Sequence, residues 1–516
     1  MQTQSSTPKI ETLVGKLGRE KFIELLQIQN QFKENNLILQ MDTAGLLSNR
    51  KDILHKQMEI CLQYNEMFSA GESRNALMKK AALSYGIVDS LVKCSNSHAP
   101  SKYADMFSIP LAYLAKHCKG NIQEQIIQAN PFPAFVRLIS FVRSDKTLVD
   151  NGISAISYLL YHENIMVNET HPQYEVLSAC NGIIKIFELF KRNTSKQSRD
   201  CSALSLGYLY RSREIEDQRM RQMVITHLKS LISDPDLDIK EYAIAAINCV
   251  SRNPVNLAEI LKGDELAQVK NVLLTELKGN ERQKKMTQTN QENKCHFLIA
   301  MLHNRKDDNL HNLIIDVGIF HVLLYVFANR ELNLITPLLS TTFDEIVNNV
   351  DEQILLKLLN TNPFKALIRL IVHPNELICR NAIVSICTFL ELGSGSSNSD
   401  QHPYFDQFSS SNWISQIFKC FHRNSSEEQK NYSAICIGLL YKNREIVDTM
   451  MKQQIISHLK SLSSCELECN SKAKKALIYL ALNVDNRREM KRDGFKIPDY
   501  EDETGDDGEE EDNKVD

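Results

Sequence analysis

The stretch "REIEDQRMRQMVITHLKSL" at residues 213–231 returns as "REIVDTMMKQQIISHLKSL" at residues 444–462, 231 residues further along the chain. Around it, residues 202–233 match residues 433–464 at 18 of 32 positions. A match of this length within one chain predicts that both stretches do the same structural work.

The correspondence continues upstream of this stretch. "NPFPAFVRLI" from Asn130 parallels "NPFKALIRLI" from Asn362, and "NGIIKIFELFKRN" from Asn181 parallels "NWISQIFKCFHRN" from Asn412. We therefore predict two tandem duplicated blocks with one architecture. Their predicted bounds are 70–285 and 300–498, after N-terminal capping helices in 1–69 and with a polar linker or loop at 286–299 between them.

Within each block, turn residues followed by apolar helix starts recur about every 40 residues, and the apolar residues between them follow helical spacing. Ala203, Leu206, Gly207 and Tyr210 form one such face. Gly207 and its counterpart Gly438 indicate close approach of helices, since a glycine inside a helix costs about 1 kcal/mol relative to alanine. The pattern predicts an all-α solenoid with about five repeats in each block.

Composition agrees with long helices and a reducing environment. The 516 residues include only 18 Gly and 13 Pro, and no run of 18 or more apolar residues suggests a membrane span. The start of the sequence does not resemble a signal peptide. The 13 cysteines are scattered rather than arranged as a disulfide framework or zinc site. We expect a cytoplasmic and/or nuclear protein without cofactors or a metal.

The C-terminal segment 499–516 is strongly acidic, with 11 acids and one lysine. Its net charge is −10 and that of the whole chain is −4, so the body carries −4 − (−10) = +6. So few apolar residues predict a disordered tail. It would either fold back on the body as an internal competitor or recruit a basic protein. The candidate recruiting residues are Asp506, Asp507, Glu509, Glu510, Glu511 and Asp512.

Several segments resemble armadillo repeats, a superfamily closely related to HEAT repeats. They include "RNALMKKAALSYGIVDSLVKC" from Arg74, "KGNIQEQIIQANPFPAFVRLIS" from Lys119 and "SRNPVNLAEILKGDEL" from Ser251. The resemblance covers roughly residues 70–495. It implies a right-handed superhelix whose third helices line a concave groove for an extended partner.

The importin-α members of this superfamily grip peptides with a ladder of Trp and Asn, and this sequence departs from that pattern. Its only tryptophan, Trp413, falls at the start of a unit, and Tyr208 and Leu439 stand where ladder asparagines are expected. Basic groove residues, as in β-catenin-like binding, remain the alternative. The candidate partner-binding residues are Arg211, Arg213, Lys229, Lys442, Arg444 and Lys460.

Structural interpretations compete with these functional ones. Arg213 and Asp217 stand four residues apart, as Arg444 and Asp448 do, which predicts an ion pair within one helix. His227 and its counterpart His458 lack ligands at metal spacing, so packing or surface roles are favoured. The basic cluster from Lys278 is more typical of a solvated face than of a phosphate site.

Enzyme motifs such as a phosphate loop or "HExxH" do not occur in the sequence. The leading prediction is a non-enzymatic scaffold that binds a protein partner in the groove of the repeats. The alternatives are a karyopherin-like transport adaptor, a chaperone cofactor, and a structural part of a cytoskeletal or ciliary assembly. Nucleic-acid binding is disfavoured because the charge of the body is diffuse. The sequence leaves the oligomeric state and the partner open.

Overall fold

A computed structural model describes residues 19–41, 47–69, 79–97, 104–116, 118, 120–140, 146–161, 169–395, 401–423, 426–464 and 469–498. In these ranges the regular secondary structure consists of α-helices and one 3-10 turn at Leu332–Leu334, with no strand. The chain forms two compact units, Met1–Lys262 and Gly263–Asp516. The all-α prediction is therefore confirmed.

The described residues of the first unit form a succession of helices. In chain order they are α1 (Arg19–Leu39), α2 (Leu47–Ser69), α3 (Ile87–Ser97), α4 (Ala104–Ala115), α5 (Asn121–Gln128), α6 (Phe132–Ser140), α7 (Lys146–Leu160), α8 (Tyr174–Ala179), α9 (Gly182–Arg192), α10 (Lys196–Leu209), α11 (Gln218–Leu231), α12 (Leu237–Ser251) and α13 (Pro254–Ile260).

The described residues of the second unit also form a succession of helices. Its helices are α14 (Glu265–Leu274), α15 (Glu281–Leu302), α16 (Asp308–Val317), α17 (Ile319–Asn329), α18 (Pro337–Val347), α19 (Glu352–Leu359), α20 (Phe364–Leu370), α21 (Glu376–Gly393), α22 (Phe405–Ser410), α23 (Trp413–His422), α24 (Glu427–Leu440), α25 (Thr449–Leu462), α26 (Asn470–Ala481) and α27 (Val484–Lys491).

The predicted linker at 286–299 is wrong, because these residues lie inside α15. A capping box starts the helix: Asn280 accepts from the backbone N–H of Gln283, whose side chain accepts from the N–H of Asn280. The C-terminal half of α15 is fixed by burial of one face, including Cys295 and Leu298. The two units meet at Lys262 and Gly263 rather than in this segment.

Most repeats consist of a short first helix, a second helix and a third helix, as α8, α9 and α10 illustrate. Each third helix packs on the next one. The order is α4, α7, α10 and α12 in the first unit, and α15, α18, α21, α24 and α26 in the second. Second helices pack on one another in the same successive way, in the order α3, α6 and α9 in the first unit and α14, α17, α20 and α23 in the second. This ladder of three-helix repeats is armadillo-like.

Asparagine sets several of the turns between first and second helices. Asn181 and Asn412 adopt left-handed backbone conformations, with φ of 56° and 59°, immediately before α9 and α23. Asparagine tolerates this conformation better than most residues. Asn253 instead caps α13 through its side chain, with Pro254 at the first helical position.

The glycines predicted to mark close approach do so in both units. A Cβ on Gly207 would lie 2.7 Å from Cβ of Ala246, and one on Gly438 would lie 2.8 Å from Cβ of Ala476. Both distances are shorter than van der Waals contact. The third helices α10 and α12, and likewise α24 and α26, therefore approach so closely that the backbone of each glycine packs against the facing alanine.

The repeated 19-residue stretch builds the one kind of repeat that lacks a first helix within the described ranges. Residues 211–217 and 442–448 run as turns and extended chain, and α11 and α25 then begin directly as second helices. α11 packs on α10, α12 and α13, and α25 packs on α24, α26 and α27. The two units therefore share this irregular repeat as well as the regular ones.

Candidate functional site

A buried asparagine from the following repeat holds each extended segment in place. The side chain of Asn256 accepts from the backbone N–H of Ile215 at 3.1 Å and donates to the carbonyl of Arg213 at 2.7 Å. Asn486 makes the same two bonds, to Ile446 at 3.2 Å and to Arg444 at 2.8 Å. These bonds satisfy backbone groups that a first helix would otherwise have paired.

Arg213 and Arg444 lie against the first helix of the preceding repeat. The guanidinium of Arg213 lies 4.0 Å from the ring centre of Tyr174 and 2.7 Å from a carboxylate oxygen of Glu175. Arg444 lies 4.2 Å from the ring of Phe405 and 3.2 Å from Asp406. Both arginines thus fix the stacking of neighbouring repeats.

The expected ion pairs of these arginines with Asp217 and Asp448 do not form in the structure. Each aspartate is instead the N-cap of the next helix and accepts from the backbone N–H of Met220 or Met451. The four-residue spacing was misleading because α11 and α25 begin only after Asp217 and Asp448, so each arginine lies outside the helix and is not one helical turn from the aspartate.

The other four basic candidates also make contacts inside the protein. Arg211 is buried, and Lys442 is buried with its ammonium donating to the carbonyl of Ser394 at 2.7 Å. Lys229 donates to the carbonyl of Ile260 at 2.9 Å, and Lys460 pairs with Asp493 at 3.6 Å. The structure therefore gives all six candidates a structural role, and their part in binding a partner stays a prediction.

The third-helix face that would form a groove is closed over α10. Residues 200–211 are all buried. Tyr158 and Tyr161 from the end of α7 meet Tyr242 of α12, with ring centres 5.9 Å and 4.9 Å apart. Tyr208, at the ladder position, is 2% exposed and donates its hydroxyl to the carbonyl of Tyr242 at 3.0 Å. No peptide can lie along α10 without displacing these rings.

The second unit closes over α24 with different chemistry. Residues 431–440 are buried, Leu439 among them. Glu391 of α21 pairs with Lys472 and, at 3.5 Å, with Lys475 of α26. The hydroxyls of Ser394 and Tyr479 lie 3.2 Å apart. Both units thus fill the position where an importin-like ladder would bind.

Because the irregular repeat lacks a first helix, each unit has an open cleft on its second-helix side. The cleft of unit 1, between α9, α10 and α11, has a volume of about 390 Å³. That of unit 2, between α23, α24 and α25, has about 690 Å³. The first is lined by Phe190, Arg199, Gln222, Met223, Thr226, His227 and Ser230. The second is lined by Phe421, His422, Lys430, Gln453, Gln454, Ser457, His458 and Ser461.

All seven residues that line the first cleft have a counterpart 231 residues later among those that line the second. In both clefts these residues include a cation near an aromatic ring, and an imidazole. Arg199 lies 5.4 Å from the ring of Phe190, and Lys430 lies 5.6 Å from that of Phe421. His227 meets Phe190 edge to face at 5.5 Å. Of the residues that line either cleft, none is Asp or Glu. Both clefts are therefore suited to anionic groups.

The imidazoles differ in what lies behind them. His227 Nε2 lies 2.7 Å from Oδ1 of Asp200, which is buried and also pairs with Lys196 at 2.7 Å. His458 Nε2 lies 2.8 Å from Oδ1 of Asn431. Burial, and then the nearby Lys430 cation, lowers the pKa of His458. His458 is thus a neutral hydrogen-bonding group near neutral pH.

The described ranges contain neither a candidate metal site nor a single helix that could span a membrane. No group of three or more His, Cys, Asp or Glu side chains there is placed to hold a metal ion. No single helix there is long and apolar enough to cross a membrane; α16 and α17 would reach that length only together, and they are bent by 56°. The acidic candidates Asp506 to Asp512 lie outside the described residues.

Comparisons with known proteins give only distant structural likenesses. No family model and no curated protein matches the sequence. Among solved structures, an engineered protein is 14% identical with a TM-score of 0.49, covering 86% of this chain and 98% of its own. A designed armadillo repeat protein is also 14% identical, with a TM-score of 0.33, covering 51% of this chain and 99% of its own.

These likenesses are too distant to carry an argument, and the helix packing itself defines the class. The described residues fold as an armadillo-like stack of helical repeats.

Sequence reasoning did not identify the two clefts. The available signal was the identity of polar residues within the repeated stretch, the exposed Ser230 with Ser461 and the half-buried Gln222 with the exposed Gln453. Packing does not require these residues, so their recurrence indicated a surface in common.

Proposed function

We propose that the protein is a non-enzymatic scaffold that binds acidic segments of a protein partner in two equivalent clefts, one in each unit. The observation that carries this proposal is that both clefts have the same ring, cation and imidazole at matching positions. Thr226 and Ser457, which line their rims, are exposed and contribute no core packing. The binding surface is thus shifted from the third helices, which are closed over α10 and α24, to the second-helix side.

Each cleft offers a segment of a partner both charge and hydrogen-bonding groups. Arg199 or Lys430 would bind a carboxylate, and the buried ring of Phe190 or Phe421 would support that cation from within the fold. Hydroxyl and amide groups at the rim would bond its backbone. Two sites on one chain raise affinity for a partner with two acidic segments, since the second binding step is intramolecular.

The scaffold is proposed to work in the cytoplasm or nucleus, where its 13 scattered cysteines would stay reduced. A karyopherin-like adaptor is the weaker alternative, because Tyr208 and Leu439 are buried at the ladder positions.

Photo-crosslinking in cells tests the proposal. Benzoylphenylalanine at Thr226 or Ser457 reports on each cleft, and the exposed pair Glu216 and Val447 gives matched positions outside the clefts. We expect the same crosslinked partner from Thr226 and Ser457 and not from the controls. Arg199→Glu should lower the yield at Thr226 about ten-fold, as expected for loss of a charged hydrogen bond, whereas Arg219→Glu should not. Equal crosslinking at all four positions would overturn the proposal.

A further inference from the structure

The C-terminal end of the described chain lies on the helix that lines the cleft of unit 2. Lys460 of α25 pairs with Asp493 at 3.6 Å and lies 5.2 Å from the ring of Phe495. Lys460 is adjacent in sequence to Ser461 and two residues from His458, both of which line the cleft. The last described residues before the acidic segment 499–516 therefore contact the same helix that lines this cleft.

The acidic segment is long enough to reach any point of the cleft. α25 has 14 residues and so is about 21 Å long at 1.5 Å per residue. Extended chain spans about 3.3 Å per residue, so the eight residues from 499 to 506 alone cover about 26 Å. The acids from Asp506 to Asp512 can thus reach the lining residues without any movement of α25.

The cleft and the acidic segment have complementary charge. Residues 499–516 carry a net charge of −10, with Lys514 as the single base. The cleft offers Lys430 and the exposed His422, with no carboxylate among its lining residues. The Oε1 of Gln454 is buried and has no hydrogen-bond partner among the described residues.

We propose that residues 499–516 occupy the cleft of unit 2 and compete there with the acidic segment of a partner. The proposal rests on the proposed function, because it assigns the competitor for one of the two clefts. A tether of this kind gives an effective concentration of about the mM order. Such a concentration is enough for a weak acidic ligand to block the cleft of unit 2.

The test uses the purified full chain, with benzoylphenylalanine at Ser457 in the cleft or at Val447 outside it. After illumination and digestion, mass spectrometry measures the yield of crosslinks to peptides from 499–516. We expect the yield at Ser457 to exceed that at Val447 at least about five-fold. The yield at Ser457 should fall to the Val447 level when each Asp is substituted by Asn and each Glu by Gln at Asp506, Asp507, Glu509, Glu510, Glu511 and Asp512. Yields that are equal at both positions, or unaffected by this change, would overturn the proposal.

Two further outcomes separate this inference from the proposed function. If the crosslink at Ser457 rises in proportion to protein concentration, the acidic segment binds a second copy, and the intramolecular proposal is wrong. In cells, the six Asp→Asn and Glu→Gln substitutions should raise crosslinking of the partner at Ser457 about two- to ten-fold. If partner crosslinking is strong at both clefts but unaffected by these substitutions, the competitor fails and the scaffold stands. If it is absent at both, the scaffold fails too.

Discussion

The irregular repeats of the two units are alike in their framework and differ in the polar groups set into it. Asn256 and Asn486 each bond the extended segment, and Gly207 and Gly438 each admit a neighbouring helix. Behind the imidazole, however, Asp200 in unit 1 is replaced by Asn431 in unit 2. The framework is what stacking demands, whereas the polar groups can change without loss of the fold.

The closure over the third helices shows the same freedom. Tyrosines cover α10 in unit 1, and a glutamate with two lysines joins the helices on either side of α24 in unit 2. Two chemistries produce one outcome, a closed face. This comparison indicates that a closed third-helix face, rather than any particular side chain, is what the two units have in common.

The largest expected effect comes from the framework asparagines. Asn256→Ala leaves the buried N–H of Ile215 and the carbonyl of Arg213 without partners, at about 1–3 kcal/mol for each group. We expect the free energy of unfolding to fall by about 3 kcal/mol, and Asn486→Ala to act alike in unit 2. Urea denaturation followed by circular dichroism measures both, with the exposed Val255→Ala as control. A loss in only one unit would break the equivalence of the two frameworks.

The glycine contacts should give the next effect. Gly207→Ala and Gly438→Ala improve helix propensity by about 1 kcal/mol, but the added methyl meets the facing alanine and overpacks the contact. Overpacking costs about 1–3 kcal/mol, so we expect net destabilisation in both units. Thermal unfolding compares the two variants. A higher melting temperature for either would show that its helices are not in close contact.

His458 should make the stability of unit 2 depend on pH. Because the pKa of His458 is lowered in the fold, the unfolded chain binds more protons just below its ordinary pKa. His458 therefore contributes stability above about pH 6.5, and this contribution is lost as the pH falls. Asn431→Asp places a carboxylate beside the ring, as in unit 1, and should raise the pKa of His458. NMR titration of the His458 ring measures it, and an unchanged pKa would contradict the assigned contact.

The stacked arginines should give the smallest effect. Arg213→Ala and Arg444→Ala each remove a partly exposed cation over an aromatic ring and a surface ion pair, together about 0.5–1 kcal/mol. Arg213→Lys should restore little of this, since the planar guanidinium makes the ring contact. Urea midpoints of the variants measure the losses. Losses above about 2 kcal/mol would mean that these residues are part of the framework.

Much of the fold could be predicted from the sequence, because it depends on local patterns. Helical spacing, the repeated stretch and the mid-helix glycines all pointed to stacked helices. α15 was missed because its first half is exposed and polar. The signal that could have found it was the capping box at Asn280 together with Gln291, Cys295, Leu298 and Leu302 at helical spacing.

The clefts could not be predicted, because they depend on contacts distant in sequence. Asn256 lies 41 residues beyond Ile215, and its bonds allow the segment to stay extended where other repeats have a first helix. Nothing local in "REIED" signals that partner. The six basic candidates were chosen for their charge and for their recurrence in the two blocks, and burial or pairing, which only the packed structure shows, accounts for their positions.

The central claim is that each unit has one cleft for an acidic segment, and methionine-methyl NMR tests it most directly. The protein used is the full chain in which the six tail acids are substituted by Asn or Gln. Met223 reports on the cleft of unit 1, and Gln454→Met places a matching methyl in the cleft of unit 2. This protein is titrated with a synthetic peptide of residues 499–516. We expect both methyl signals to shift, with Arg199→Glu abolishing the first shift alone and Lys430→Glu the second alone. If neither signal moves, or if both shifts persist in the two variants, the account of two equivalent clefts is wrong.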